Sequence, residues 1–467
     1  MGVQCEASVM LRLGEQETTM AGFDYTLVQK WFGRARFQLL DLMRGTQSLT
    51  LLKELEAVQF ESQEVIRFRQ KKMLEAYLDS MRDVPYYKKH KSITEFPVID
   101  KKFINENRES LLNRSYGGKI FRKKTGGSTG EPFVYVTGVK SQSYLWAGIL
   151  LSWRTAGYHL GEPVAILAGS SLFTSGIKQN IYYGIMNARL FSAFEMSAKR
   201  LDTYAREIAR GKYRLLYGYA SAVQELAEYL LSRPDRPTFS LRGIVTTAEN
   251  LTPGMRETIE RAFGVPCFSQ YGCHDAGISA YECEQRKGFH LITDRCYPEV
   301  LEDRRLVSTD ISNEALFLPR YDTGDLITMS DEPCACGRGF PLIAAVIGRS
   351  NDVISDQAGN TVHSEFFTHL FREVQAITAF QVAYDGRTLV VNLHTRDTDT
   401  DWSPYKERIQ KSLAVERIDF IQNQPFMKSA NAKHKFVLKL PEIGLYYETD
   451  DCTAKEKSDK DENPHQA

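Results

Sequence analysis

The sequence predicts an α/β protein: a large N-terminal domain built on doubly wound, mainly parallel sheets, followed by a small, mobile α+β C-terminal domain. Three observations carry this. Between residues 160 and 272 short β-rich runs alternate with helical ones, which requires crossover connections and hence parallel strands. After residue 350 the pattern changes to hairpins around single helices. At 467 residues with 42% hydrophobic composition, the chain is too long for one ordinary domain and globular almost throughout.

Taken in order, residues from about 50 to 83 read as helical, with Leu51, Leu55, Val58, Val65 and Ile66 on helical spacing. VAILAG, RLLYGYA (214–220), GIVTTAE (243–249) and VPCFSQYG (265–272) read as strands. A helix begins near Ser221, and another opens with Thr252 as N-cap and Pro253 at its first position. In such sheets ligands sit at the carboxyl ends of strands, which places Thr247-Ala248-Glu249 and Tyr271-Gly272 at the mouth of a site.

Further on, ISDQAGNTVHS reads as a hairpin turning at Gly359-Asn360, with a helix from about Ser364. A second hairpin turns at Asp385-Gly386, and a helix near 403–413 and the strand IDFIQ complete the unit. The expected domains are therefore 1–350, 351–449 and a disordered, charged tail over 450–467.

The 59 basic and 59 acidic residues cancel, so no global field favours nucleic acid or an anionic membrane, and small-molecule partners are expected. No apolar run is long enough to span a bilayer, and the charged N-terminus does not read as a signal peptide. Gly2 invites a myristoylation reading, but Glu6 stands where Ser or Thr is needed. A cytoplasmic protein with eight reduced cysteines is expected. The sequence leaves the oligomeric state open.

Thr125-Gly126-Gly127-Ser128-Thr129-Gly130 packs three glycines and three hydroxyl residues into six positions. Its backbone can approach a phosphate closely, with N–H and O–H donors turned towards it. It is not a Walker loop, because Glu131 and Pro132 follow where lysine and a hydroxyl are required, and such a loop alone is more often an ordinary flexible turn than a phosphate cradle. Downstream lie Arg320-Tyr321-Asp322-Thr323-Gly324-Asp325, Gly348-Arg349-Ser350-Asn351-Asp352 and Asn431-Ala432-Lys433.

In this order the four segments resemble the adenylate-forming acyl- and aryl-coenzyme A ligase superfamily. Val84-Pro85-Tyr86-Tyr87, the Gly-Glu-Pro ending of the loop and a Cys-x-Cys-Gly-Arg segment resemble its phenylacetate–coenzyme A ligase branch, and the likeness covers nearly all of residues 50–440. It implies an enzyme in which a carboxylate attacks the α-phosphate of ATP, giving an acyl-adenylate and pyrophosphate, after which a nucleophile displaces AMP. It further implies that Thr125 to Gly130 hold phosphates, that Thr247, Ala248 and Glu249 line the adenine beside Tyr271 and Gly272, and that Asp325 takes the ribose hydroxyls. Arg349 would support ribose and phosphate, and Lys433 would be the catalytic cation, delivered by closure of the small domain.

Two departures from the family pattern stand out. Tyr271-Gly272-Cys273-His274-Asp275 replaces Tyr-Gly-x-x-Glu, so the magnesium carboxylate would be the shorter Asp275. The hinge carries Asn351 in place of the usual first aspartate. Phe173, Tyr217, Tyr219 and His274 are candidates for the acid pocket and fit an aryl or other apolar acid, although the aromatic residues equally suit a core.

Cys283, His290, Cys334 and Cys336 offer three thiols and an imidazole, a tetrahedral set for structural zinc, with Cys296 as a competing ligand. The branch resembled often has a cysteine-rich element here. Adjacent Cys273 and His274 point to opposite faces of an extended segment, which argues against a thiolate–imidazolium pair. Coenzyme A is the expected acceptor, with an amine or a carrier protein as the alternative. A non-catalytic nucleotide-binding regulator is the reading from another class.

Overall fold

The structure, a computed structural model, describes residues 25–439 apart from 83, 85, 89, 91, 126–132, 170–176, 194–195, 350–352, 358–360, 372–373, 375, 397–398 and 427–436. Helices α1 (Tyr25–Arg44), α2 (Ser48–Val58), α3 (Gln63–Met81) and α4 (Lys101–Leu111) precede a hairpin of β1 (Phe121–Thr125) and β2 (Phe133–Thr137). Helix and strand then alternate: α5 (Val139–Thr155), β3 (Val164–Ala168), α6 (Ile177–Met186), β4 (Ala188–Ser192), α7 (Ala198–Arg210), β5 (Leu215–Tyr219), α8 (Ala220–Leu231), β6 (Gly243–Thr247), α9 (Pro253–Phe263) and β7 (Cys267–Cys273). Six strands follow: β8 (Ile278–Glu282), β9 (Phe289–Leu291), β10 (Tyr297–Val300), β11 (Arg305–Thr309), β12 (Tyr321–Met329) and β13 (Leu342–Arg349). The remainder comprises β14 (Val353–Ser355), β15 (Thr361–His363), α10 (Ser364–Phe371), β16 (Ile377–Tyr384), β17 (Thr388–Thr395), α11 (Ser403–Ser412), β18 (Arg417–Gln422) and β19 (Val437–Lys439).

One 11-stranded sheet runs β10-β11-β12-β13-β9-β8-β7-β6-β5-β3-β4. Its β4-β3-β5-β6-β7 half is parallel, as the helix–strand alternation predicts. Strands β3 and β5 are apolar runs buried on both faces, with Val164, Ala165, Leu167, Leu215 and Leu216 at 0% exposure. Helix α7 covers this half with Leu201, Tyr204, Ala205 and Ile208, the one-face spacing of an amphipathic helix. Helix α9 starts as its sequence predicts, since the Thr252 hydroxyl accepts from the Met255 amide at 3.2 Å and Pro253 follows it.

The other half, from β8 to β13, is antiparallel and has no counterpart in the periodicity of the sequence. Four strand spacings separate β7 from β12, about 19 Å in a flat sheet. Side chains of the two strands nonetheless touch: the Tyr271 hydroxyl donates to Asp325 at 2.7 Å. This half therefore curls over the ends of the parallel strands.

The stretch from about 50 to 83 that reads as helical is two helices, α2 and α3. Ser62 caps α3 by accepting from the Val65 amide at 3.3 Å, and the Gly339 amide donates to the Gln59 carbonyl at 2.8 Å. A hydroxyl cap and a long-range backbone bond thus override apolar spacing that is continuous through the break. Toward the C-terminal end, β18-β17-β16-β19 form a separate four-stranded sheet. It encloses its own apolar cluster with Ile354, Phe367 and Phe371. The Asp385-Gly386 turn closes β16 onto β17 with Gly386 at φ +91°, and the Asp385 carboxylate accepts from the Arg387 and Thr388 amides.

The turn after β7 depends on Gly277, which has φ +73° and lies so close to β11 that an added Cβ would sit 2.6 Å from the Asp310 Cβ. We expect Gly277→Ala to destabilise the protein by about 2 kcal/mol or more, from left-handed strain and overpacking together. Urea unfolding measures this, and an unchanged midpoint would mean that the turn relaxes freely.

Candidate nucleotide site and cysteine cluster

Strand β6 ends at Thr247, and Ala248 then turns the chain in the left-handed region at φ +68°, a conformation that costs a residue with a Cβ about 1–2 kcal/mol. The Glu249 carboxylate reaches the start of α8 and accepts from the Ser221 amide at 2.8 Å, satisfying one of the unpaired N–H groups there. Thr247 and Ala248 are thus held at the carboxyl end of β6, while the Glu249 side chain serves the helix. Tyr217 packs its ring edge-on to Trp153 at 5.2 Å, and burial pushes its phenol up to about 12, with Thr247 opposing the shift. Tyr219 is buried in the main apolar cluster.

From the next strand, Tyr271 meets Asp325, a carboxylate only 8% exposed. The neighbouring motif residues fix its position. The Thr323 hydroxyl accepts from the Asp325 amide at 3.0 Å and donates to the Leu306 carbonyl at 2.7 Å, while Asp322 pairs with Arg305. Asp325 lies opposite Arg349, the last residue of β13, so both motifs meet at one strand pair.

Asp275 is buried just beyond. Its Oδ1 accepts from the Cys273 thiol at 3.0 Å, its Oδ2 accepts from the Tyr321 hydroxyl at 2.9 Å, and the Lys101 ammonium lies 4.0 Å away. Burial and then the Asp275 charge push the Tyr321 phenol well above its ordinary range, so it remains an O–H donor. The Cys273 thiol is engaged by Asp275, and His274 is half-buried beside Gly272. Tyr321 and Lys101 are members of this site that sequence reasoning missed, and no local pattern links either to Asp275.

Several expected site residues lie outside the described residues: Gly126, Gly127, Ser128, Thr129, Gly130, Phe173, Asn351 and Lys433. Thr125 and Arg349 close β1 and β13 and are described by backbone alone.

A second cluster is separate from these strand ends. The ligand atoms of Cys283, His290, Cys334 and Cys336 all lie within 4.8 Å of one another. The Cys283 and Cys334 sulfurs are 3.7 Å apart, too far for a disulfide and close to the roughly 3.8 Å edge of a tetrahedron with metal–sulfur bonds of about 2.3 Å. His290 turns Nε2 to the Cys336 sulfur at 3.3 Å and Nδ1 to the Phe340 carbonyl at 3.4 Å, an outer contact that orients the ring. Burial pushes the Cys283 thiol up to about 12; for Cys336 burial acts in the same sense, but the backbone and side-chain donors of Arg338 outweigh it and hold the thiol below its usual range. Cys296 is not a competing ligand: it is fully buried in another apolar cluster.

No family profile matches the chain. It is 23% identical over 372 residues to Protein CapK of Staphylococcus aureus, covering 75% of this chain and 78% of that protein. To the phenylacetate-coenzyme A ligase of Thermus thermophilus it is 26% identical over 274 residues, 55% of this chain and 61% of that enzyme. Its fold is similar to that of a 2-hydroxyisobutyryl-CoA ligase in the postadenylation state, with TM-score 0.59, 15% identity, and coverage of 81% of this chain and 90% of that one. By sequence the chain is similar to phenylacetate-coenzyme A ligases, and its fold is similar to that of an acyl-CoA ligase.

Proposed function

We propose that the chain is an ATP-dependent, AMP-forming carboxylate ligase that transfers its acyl group to coenzyme A. The observation that carries this reading is the approach of Asp325, within β12, to Tyr271 of β7, beside Thr247 and Ala248 at the end of β6 and with Arg349 opposite Asp325. Asp325 has acceptor oxygens suited to a ribose diol, and its bond to Tyr271 fixes the carboxylate before nucleotide arrives. The acid's oxygen attacks the α-phosphorus as the bond to pyrophosphate breaks, and a thiolate then attacks the acyl carbonyl as AMP leaves. Positioning and charge neutralisation dominate the first step. In this reading the loop from Thr125 to Gly130 holds the β- and γ-phosphates, and Lys433 stabilises the transferring phosphoryl group.

Asp275 is the residue that would hold magnesium. A carboxylate offers about four lone-pair sites, and Cys273 and Tyr321 take two, so oxygen donors remain for a hard cation. Magnesium, when bound, neutralises phosphate charge. A cavity of about 850 Å3 between the start of α9, β13 and β16 offers room for a large acceptor, although its wall carries Glu257 and Glu282 as well as Arg286, Lys287 and Arg396, and Arg396 pairs with Glu257. The cysteine cluster is a structural zinc site in this reading, because four protein ligands leave no open position for water.

Two outcomes are expected. Lys433→Ala should lower carboxylate-dependent exchange of labelled pyrophosphate into ATP by about 100-fold or more without unfolding the chain, as loss of one preorganised donor does; equal rates would remove Lys433 from the reaction. The purified protein should contain about one zinc per chain, and chelation should make Cys283, Cys334 and Cys336 open to alkylation at pH 8. Cys267 and Cys296 should stay unreactive, since burial pushes both thiols up to about 12. Protein purified without chelator and free of zinc would reject the metal site.

A further inference from the structure

Helix α1 carries two stripes of side chains on opposite faces, one turned to the body of the protein and the other exposed. The inner stripe is Gly33, Phe37, Leu40 and Arg44. Phe37 and Leu40 enter the main apolar cluster, a Cβ at Gly33 would run into the Leu160 carbonyl oxygen, and the buried Arg44 guanidinium lies over the Trp146 and Tyr182 rings. The outer stripe is Trp31, Ala35, Leu39 and Leu42, with Phe32 and Met43 beside them. Its five large side chains are Trp31 at 66% exposure, Phe32 at 57%, Leu39 at 45%, Leu42 at 78% and Met43 at 47%. They fall within about one third of the helix circumference and about 18 Å of its axis. Trp31 and Phe32 pack edge-on, with ring centres 5.1 Å apart, into one aromatic surface. Single exposed apolar residues are ordinary, but a continuous stripe marks an interaction surface, and a helix apolar on both faces is one that is covered on both.

The pattern of the stripe says what covers it. About residue 37, Trp31 mirrors Met43, Phe32 mirrors Leu42 and Ala35 mirrors Leu39. An identical helix laid antiparallel across it by a two-fold axis therefore sets large residues against large at both ends. At the centre Ala35 meets Leu39, where the small side chain lets the helix axes approach.

The charges agree. Arg34 and Asp41 lie on the same edge of the stripe, two turns apart, and in an antiparallel pair these edges meet, so Arg34 of each copy faces Asp41 of the other. The Asp41 carboxylate is already oriented: Oδ1 accepts from the Thr46 hydroxyl at 2.6 Å and Oδ2 from the Leu49 amide at 3.0 Å, which leaves lone pairs for a guanidinium. A lipid surface, the other taker of an aromatic helix face, selects for cations along the rim, and an aspartate beside Arg34 opposes it. We propose that α1 is a dimerisation helix, pairing antiparallel with α1 of a second copy of this chain through Trp31, Phe32, Leu39, Leu42 and Met43. This does not depend on the ligase reading.

Five side chains from each copy make a contact at the small end of stable interfaces, so a dissociation constant on the order of micromolar is expected. Sedimentation velocity of the whole chain from about 0.1 to about 50 µM should show the mass rising to that of two chains. Leu42→Glu and Phe32→Glu each place an unpaired carboxylate in the contact twice per dimer, and each should weaken it by about 100-fold or more. Arg34→Glu, which sets like charges against each other, should weaken it by about 10-fold. All three positions are exposed, so near-ultraviolet circular dichroism should not change; where a glutamate variant alters it, Leu42→Gln serves in its place. A wild type that stays monomeric overturns the proposal. A dimer that neither Leu42→Glu nor Phe32→Glu dissociates places the contact elsewhere and also overturns it, and an Arg34→Glu dimer as tight as the wild type rejects the antiparallel pairing. Two companion measurements identify another occupant. A monomer that floats with vesicles of phosphatidylcholine and phosphatidylglycerol in equal parts, but not as Phe32→Glu, assigns the stripe to lipid; a monomer that dimerises once residues 1–24 are removed assigns it to that segment. Either result overturns the proposal.

Discussion

The bond between Tyr271 and Asp325 exists only because the antiparallel half of the large sheet curls back over the parallel half. In sheet order their strands are four positions apart, yet the side chains meet at 2.7 Å. The Tyr321 contact to Asp275 and the Ser308 hydroxyl bond to the Ala276 carbonyl, 2.8 Å, pin the same closure on its inner side. Gly277 allows the approach, since a side chain there would collide with Asp310, just after β11. Everything assigned to nucleotide binding depends on this fold-back: Thr247 and Ala248 come from the parallel half, Asp325 and Arg349 from the antiparallel half.

The same closure sets the electrostatics. Asp275 is buried with Tyr321, Cys273 and Lys101 around it, which gives one carboxylate a fixed position beside the strand ends. Asp310, just after β11, accepts from the Ser141 hydroxyl of α5 and from the Ser312 amide, so it ties α5 to the same region. The cysteine cluster is a separate device that ties the β8–β9 turn to the segment between β12 and β13, far along the chain from its other ligands.

Much of the parallel half was legible in the sequence, because RLLYGYA, GIVTTAE and VPCFSQYG are continuous apolar strands punctuated by capped helices. The strands from Ile278 to Arg349 were not, since they are short and find partners by long-range pairing that no local period encodes. The break between α2 and α3 was hidden by apolar residues that stay on helical spacing across it. Sequence order and residue type nominated Cys283, His290, Cys334 and Cys336, whose side chains the structure brings together, and Asp325 and Asp275 as candidates. They could not reveal that Glu249 would cap α8 or that Cys296 would be buried in another core, and between pocket and core for Tyr219 only the structure decides, in favour of the core. Lys101 carried no signal, since its place beside Asp275 is set by tertiary packing that no local pattern encodes.

The account stands on the claim that nucleotide binds where Tyr271 and Asp325 meet. The most direct measurement is the dissociation constant of AMP, by calorimetry, for the wild type, Asp325→Ala and Tyr271→Phe. Loss of the ribose acceptor should weaken AMP about 10-fold or more, and loss of the positioning hydroxyl by a smaller factor, near the roughly 1 kcal/mol of one hydrogen bond. AMP bound equally well by all three proteins would contradict the account.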